Sequence, residues 1–556
     1  EPVQMTQKPT QQTFSQALDW GRNTHGSRLA IVAGKHRLTF SELAERAESL
    51  ARGLIESGVR HGDCVALWSS DCLEWLLARW AVPAIGAVLV PINTRFRDEE
   101  IRYILKQSDS KALIMSKGIP SVNYYDILNR IDPDVPAYTR GDWSSDVFPA
   151  LKLVIGIGDS MPANVTPFSD IETQGRDLMA GDGVYQSFAD KCAPTDVAQL
   201  MYTSGTTSFP KGAMVCHGPL LQNNFNTISR MRLDHTDRYL ASVPLFSATG
   251  TSFTLSPFLA GAAIVLIEDG FSAERFCQLV EAEKVTMSFY VEPIVRDLRS
   301  FPELSNYDLS SLRTGTGAPL RAESFRWLCE DLGAAHLTNV YGLSETSNAV
   351  CRSFWDDPLE DRIASCGRPM LDVEIRIADP DSDEDLGAGP MGEIQVKAYT
   401  VSPGYYKMPQ ETAASRSADG WLKTGDLGAL REDGQLLFKG RIKEMIKPGG
   451  FNVATLEVED FIKKMPGIKE VALVGVPDER MGEIGYVYIE TEDQANVRCE
   501  DVIDFCKSQI ASYKVPRYVS FIKDWPITGS GKIRKLDLRD RAVESMSRSQ
   551  TEPADG

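Results

Sequence analysis

Between Tyr202 and Gly212 the chain reads YTSGTTSFPKG, which sets the aliphatic hydroxyls of Thr203, Ser204, Thr206, Thr207 and Ser208 beside Gly205, Gly212 and Lys211. Short hydroxyls and backbone N–H groups on so glycine-rich a stretch make a concavity for phosphate oxygens, and Lys211 adds a point charge. The order is not that of a Walker loop, because G-x-x-x-x-G-K-[ST] is missing. GSGKIR at 529–534 fails the same pattern, since Pro526 stands where its first glycine belongs. Taken alone, YTSGTTSFPKG reads equally as a polar surface turn.

Other segments supply what a phosphate loop lacks. YGLSET (341–346) puts an aromatic ring, a glycine, a hydroxyl and Glu345 into one short stretch. A carboxylate beside a polyphosphate is repulsive unless a cation lies between them, so Glu345 reads as a ligand of Mg²⁺. GWLKTGDLG (420–428) presents Asp426, a carboxylate able to accept two hydrogen bonds from a ribose diol. GRIKEMIKPGG (440–450) supplies Arg441, and PITGSGKIRK (526–535) supplies Lys532 on a glycine–serine turn.

In order and spacing, from about residue 25 to about residue 540, these segments resemble the adenylate-forming superfamily, in its branch of acyl-CoA synthetases and 4-coumarate-CoA-ligase-like enzymes. The resemblance implies that Thr203, Ser204, Gly205, Thr206, Thr207 and Lys211 hold the β- and γ-phosphates of ATP. It places Gly317, Ala318 and Pro319 against adenine with Tyr341 stacked opposite, Asn339 and Gly342 beside them, and Asp426 and Arg441 on the ribose. Ser344 and Glu345 meet the α-phosphate and Mg²⁺, Lys532 is the catalytic lysine of acyl-AMP formation, and Lys443 is the hinge residue. Lys447, Gly449 and Gly450 fall where the family binds CoA. The acyl pocket implied in the same way comprises Ser247, Thr249, Phe253, Tyr290, Val291, Gly315, Gly317 and Thr346.

Positioning such groups calls for alternating strands and helices. LTFSELAERAESLARGLIESG (38–58) opens on a Thr39-x-x-Glu42 capping box followed by apolar residues at helical spacing. Runs 63–69, 262–268, 285–292 and 470–476 read as strands, and WAVPAIGAVLVPI (80–92) as a buried helix end followed by a core strand. The pattern predicts an α/β architecture: a large N-terminal domain (1–440) of stacked mixed sheets and helices, and a small mobile α+β C-terminal domain (451–556). A glycine-bearing hinge at 441–450 lies between them. The first dozen and last ten residues read as irregular polar ends.

Two positions depart from the family pattern: Ser208 replaces a glycine of the phosphate loop, and Ser247 a histidine after Phe246. The second enlarges the pocket, loosens a gate, or reflects drift at a tolerant site. DPDSDEDLG (379–387) lacks the glycine and distal glutamate of a calcium loop and reads as a solvated acidic loop. His217 reads as a helix-start residue, and Cys216 and Cys351 as core thiols.

With a net charge of −18 over 556 residues, nucleic acid and anionic membrane surfaces are not expected partners. No stretch is long and apolar enough to predict a membrane span. Ten scattered cysteines without a C-x-x-C pair, and no signal segment, point to a reduced cytoplasmic protein. The expected enzyme is an AMP-forming acid–CoA ligase for a hydrophobic acid, with ATP, Mg²⁺ and CoA as cofactor and co-substrates. The alternatives are an acyl-AMP ligase, an enzyme serving a carrier protein, or a non-catalytic binding paralogue. A pocket without charge, and no aspartate near 247, argue against an amino-acid substrate. The sequence leaves a monomer or a homodimer open.

Overall fold

The computed structural model describes residues 11–120, 122–178, 183–203, 210–268, 270–448, 453–492, 495–507, 509–527 and 532–551. The chain divides into two compact units, one of Glu1–Glu374 with Val396–Leu422, the other of Ile375–Gln395 with Lys423–Gly556.

In the first unit, the strands Asn348–Arg352, His336–Leu343, Thr314–Gly317, Met287–Tyr290, Arg238–Ala241, Ala263–Leu266 and Leu29–Ala33 lie side by side in that order. From His336–Leu343 to Leu29–Ala33 neighbouring strands are parallel, while Asn348–Arg352 closes one side antiparallel. A second sheet runs Lys211–Cys216, Val197–Thr203, Val88–Pro91, Cys64–Trp68, Ala112–Ser116 and Leu153–Ile157. From Val197–Thr203 to Leu153–Ile157 neighbouring strands are parallel, and Cys64–Trp68 at the centre is apolar and buried at every position, as expected of a strand covered on both faces.

The local signals hold. Thr39 caps the helix Phe40–Glu56 in a reciprocal capping box with Glu42, which satisfies two of the N–H groups that a helix start leaves without partners. The apolar run at 80–92 ends the buried helix Leu73–Ala84 and continues as Val88–Pro91. His217 begins the helix His217–Met231, and Cys216 and Cys351 are buried. Burial raises the pKa of the Cys216 thiol to about 11.

In the second unit, Ile468–Asp478 pairs antiparallel with Gly482–Thr491, which runs parallel to Tyr518–Phe521. Side chains alternate between its faces. Val471 and Leu473 pack with Val458 and Ile462, while Ala472 and Val474 pack with Leu538 and Ala542. The last helix spans Lys535–Thr551, so half of the expected irregular C-terminal end continues a helix; 1–10 and 552–556 lie outside the described residues. The strands Leu422–Leu430 and Leu436–Arg441 pair antiparallel in a further sheet.

Candidate active site

In the first unit, the candidate groups gather at the carboxyl ends of the parallel strands, where an open α/β sheet forms its crevice. Tyr290, Gly317 and Asn339 are aligned across three neighbouring strands. The Ala318 N–H donates to the Tyr290 carbonyl at 3.2 Å. Gly315, at φ 156°, takes a backbone conformation that favours glycine, and a Cβ there would strike the Ser288 carbonyl. Tyr341 is buried near the end of His336–Leu343. Gly342 must be glycine as well, because a Cβ would collide with the Asn348 carbonyl. The Asn339 amide holds the loop from below, donating to the Arg362 carbonyl at 3.0 Å.

Ser344 and Glu345 occupy the 3₁₀ turn Ser344–Thr346 and are half-buried. Thr346 locks that turn, its hydroxyl accepting from the Leu343 N–H and donating to the Leu343 carbonyl, both at 3.0 Å. Tyr405 donates its phenolic hydrogen to Glu345 Oε1 at 2.9 Å, and the Ser402 N–H donates to the Glu345 carbonyl at 2.7 Å. The ring of Tyr405 lies 5.2 Å beneath Lys211 Nζ, close enough for a cation–π attraction. Thr203 and Lys211 face each other at the mouth of the hairpin formed by Val197–Thr203 and Lys211–Cys216. Ser204, Gly205, Thr206, Thr207 and Ser208, which complete that mouth in sequence, lie outside the described residues, as do Gly449 and Gly450.

In the second unit, Asp426 is 2 % exposed and faces Arg441 across the two paired strands. Arg441 Nε lies 2.9 Å from Asp426 Oδ1, and the Asp426 N–H donates to the Thr424 hydroxyl at 3.1 Å. Lys532 is exposed as a residue, yet protein gathered round its ammonium lowers its pKa. Arg441 lowers it further, while Asp426 and Glu444 oppose the shift. Lys532, Asp426 and Arg441 are thus one electrostatic cluster within one unit. Lys443 falls in the turn Ile442–Glu444, and the Lys447 N–H donates to Glu483 Oε2 at 2.9 Å.

The pattern described by the family model "AMP-binding enzyme" matches residues 18–406, and that of the "AMP-binding enzyme C-terminal domain" matches 457–532. The chain belongs to the AMP-binding enzyme family. Within it, the chain is 33% identical over 545 residues to YngI of Bacillus subtilis (strain 168), a provisionally named acyl-CoA synthetase, covering 97% of this chain and 99% of that one. It is 30% identical to the mitochondrial medium-chain acyl-CoA ligase ACSF2 of Mus musculus, covering 93% of this chain and 85% of the relative. The anthranilate CoA ligase AuaEII, solved with anthranoyl-AMP, shares the fold at a TM-score of 0.83, with 24% identity over 97% of this chain and 98% of that one. This AMP-binding enzyme is therefore an AMP-forming ligase of the adenylate-forming superfamily, with its large and small α/β parts. Among the described residues, no helix is long and apolar enough to cross a membrane.

In the AMP-binding enzyme the residues expected around the acid come mainly from neighbouring strands and one short helix of the first unit. Phe253 packs edge-on against Tyr239 and Phe289 at 5.1 and 5.6 Å. Phe289 and Tyr290 are neighbours in one strand and point to opposite faces. Tyr290 accordingly lies on the other face, near Gly315 and Phe276. Ser247 acts locally, since its hydroxyl accepts from the Gly250 N–H at 2.9 Å and caps the helix Ala248–Phe253. Thr249 is half-buried in the first turn of that helix, and Val291 is the N-cap of Glu292–Arg299.

Two site residues escaped the sequence reading. One is Tyr405, 60 positions from the carboxylate it holds. The other is Lys535, whose Nζ lies 2.8 Å from Glu459 Oε1, 2.8 Å from Thr455 Oγ1 and 3.2 Å from Glu444 Oε2. Glu444 follows Arg441 by three residues and Lys535 follows Lys532 by three, so this pair anchors both sides of the Lys532 cluster. The repeated lysine in GKIRK was the available signal.

Proposed function

We propose that this AMP-binding enzyme joins a hydrophobic carboxylic acid to CoA in two steps. The acid carboxylate attacks the α-phosphorus of ATP and expels pyrophosphate, giving acyl-AMP. The CoA thiol then attacks the acyl carbon, and the carbon–oxygen bond to AMP breaks. The carrying observation is the cluster of Lys532 with Asp426 and Arg441: a lysine beside a buried carboxylate and a guanidinium suits an anionic centre next to a diol.

Asp426 accepts the ribose hydroxyls and Arg441 fixes its carboxylate. Lys532 donates to the oxygens on which charge gathers as the acid attacks, a stabilisation larger in the transition state than in the bound reactants. Lys211 and Thr203 receive the outer phosphates, together with Ser204, Gly205, Thr206 and Thr207. Tyr341 and the segment Gly317–Ala318–Pro319 take the adenine. Glu345 fits Mg²⁺: it is a hard oxygen ligand, and among the described residues only one of its two carboxylate oxygens has a hydrogen-bond partner. Magnesium bound mostly through nucleotide phosphates needs no more than one or two protein carboxylates, and when bound it neutralises phosphate charge. Lys447, Gly449 and Gly450 belong to the CoA step, with Lys443 at the turn between half-reactions. The medium-chain acids named for ACSF2 are a suitable substrate class.

The test is mass spectrometry of products from ATP, Mg²⁺, CoA and a panel of hydrophobic acids, with wild type and Lys532→Ala. Wild type is expected to give acyl-CoA and AMP; the variant should lose acyl-AMP formation, by about 10²-fold or more, yet still convert supplied acyl-AMP to thioester. Acyl-AMP that accumulates despite CoA would replace CoA with a carrier protein as acceptor. Equal activity in the variant would overturn the role of Lys532.

A further inference from the structure

The helix Ala248–Phe253, which carries the acid-facing candidates Thr249 and Phe253, is flanked by two arginines that are each 0% exposed. Arg352 projects from the strand Asn348–Arg352, its guanidinium 5.7 Å from the Phe253 ring. Its Nη1 donates to Thr316 Oγ1 at 2.6 Å and to Thr338 Oγ1 at 2.9 Å. Its Nε is buried without an acceptor among the described residues. Arg79 lies over the Phe14 ring at 4.5 Å and makes one long hydrogen bond, from Nε to the Thr251 carbonyl at 3.4 Å, while both of its terminal nitrogens are buried without hydrogen-bond partners among the described residues.

Among the described residues, no carboxylate offsets either charge. Burial lowers both arginines to about 9, and the charged neighbour acting on Arg352 is another cation, Arg230. Guanidinium is a rigid fork of donors that keeps its charge when buried. A buried donor without an acceptor is costly, and hydroxyls and a phenyl face do not neutralise a cation. The site therefore has the electrostatics of one that receives an acceptor from outside. Thr316 lies between Gly315 and Gly317 at the carboxyl end of its strand, and Arg352 is paired with Val340, next to Tyr341. Arg352 thus lies one residue pair away from Tyr341, on the strand beside the one that ends at the crevice.

We propose that Arg352 is a specificity-determining residue at the floor of the acid pocket, and that the preferred acid carries a second oxygen acceptor at its distal end. This rests on the ligase reading above and refines its uncharged pocket. The oxygen of a carboxylate or of a hydroxyl meets the same need, and the two differ in charge.

The experiment compares kcat/KM for thioester formation with octanoic acid, its ω-hydroxy derivative and suberic acid, in wild type, Arg352→Met and Arg352→Lys. Wild type is expected to favour at least one oxygen-bearing acid by about tenfold or more, as a site built to hydrogen-bond its substrate does. Arg352→Met should abolish that preference, its loss falling about tenfold or more harder on the oxygen-bearing acid than on octanoic acid, and Arg352→Lys should keep the preference only for suberic acid. Wild type that uses octanoic acid as well as the others overturns the proposal, whatever the variants do. So does an equal loss on all three acids in a folded Arg352→Met, the result of a merely structural strut. Thioester from none of many acids overturns the ligase reading, and this one with it; thioester without discrimination overturns this one alone.

Discussion

In the proposed reaction Glu345 is the carboxylate that meets the phosphate-bound cation, and its direction is set by one phenol. The Tyr405 hydroxyl holds Oε1 at 2.9 Å while the same ring lies under Lys211. Hydrogen bonds to a charged group contribute about 1.5–3 kcal/mol, more than a neutral pair. Tyr405→Phe keeps the ring beneath Lys211 and removes only the O–H. The loss of orientation at Glu345 outweighs the gain of an unengaged oxygen, because a mobile carboxylate must be ordered again whenever a cation is bound. The Mg²⁺ concentration for half-maximal pyrophosphate exchange is expected to rise by about tenfold, with the rate at saturating Mg²⁺ changed far less. An unchanged Mg²⁺ requirement would leave Tyr405 no positioning role.

At the scale of elements, what the sequence made legible was what neighbours in the chain decide. The capping box at Thr39 and the helix Phe40–Glu56 follow from side chains three residues apart, and the fully apolar strands follow from burial on both faces. The segments proposed for the nucleotide stand out in the sequence because each concentrates special residue types within a few positions. Tyr405 and Arg352 were not, because a tyrosine after glycine and an arginine in a strand carry no mark of the partner that the fold brings to them. Ser247 shows a local signal passed over, because it was weighed as a pocket residue or as drift although its spacing to Gly250 is that of an N-cap. Ser247→Ala should lower the stability of the first unit by about 1 kcal/mol and Ser247→Gly by only a few tenths, as measured by urea unfolding. Equal stability of the alanine variant and wild type would return the serine to the acid pocket alone.

At the scale of the whole molecule the proposed reaction assigns the two half-reactions different needs for one lysine, and that difference has a pH signature. Lys532, proposed for acyl-AMP formation, has a pKa below that of an ordinary lysine because of surrounding protein first and the Arg441 charge second. A lowered pKa means that the ammonium is lost at lower pH, so the alkaline fall of acyl-AMP formation should come below the ordinary lysine range of about 10.4. Replacing Arg441 by glutamine removes a like charge, raises the Lys532 pKa, and should move that limb to higher pH even as ribose binding weakens. Lys535, whose pKa Glu459 and Glu444 raise against its burial, keeps its ion pairs with them while this happens. Thioester formation from supplied acyl-AMP does not call on Lys532 and should lack the limb. The measurement is the rate of each half-reaction against pH at saturating substrate, in wild type and Arg441→Gln. A limb shared by both half-reactions, or one that Arg441→Gln moves downward, would show that some other group sets it.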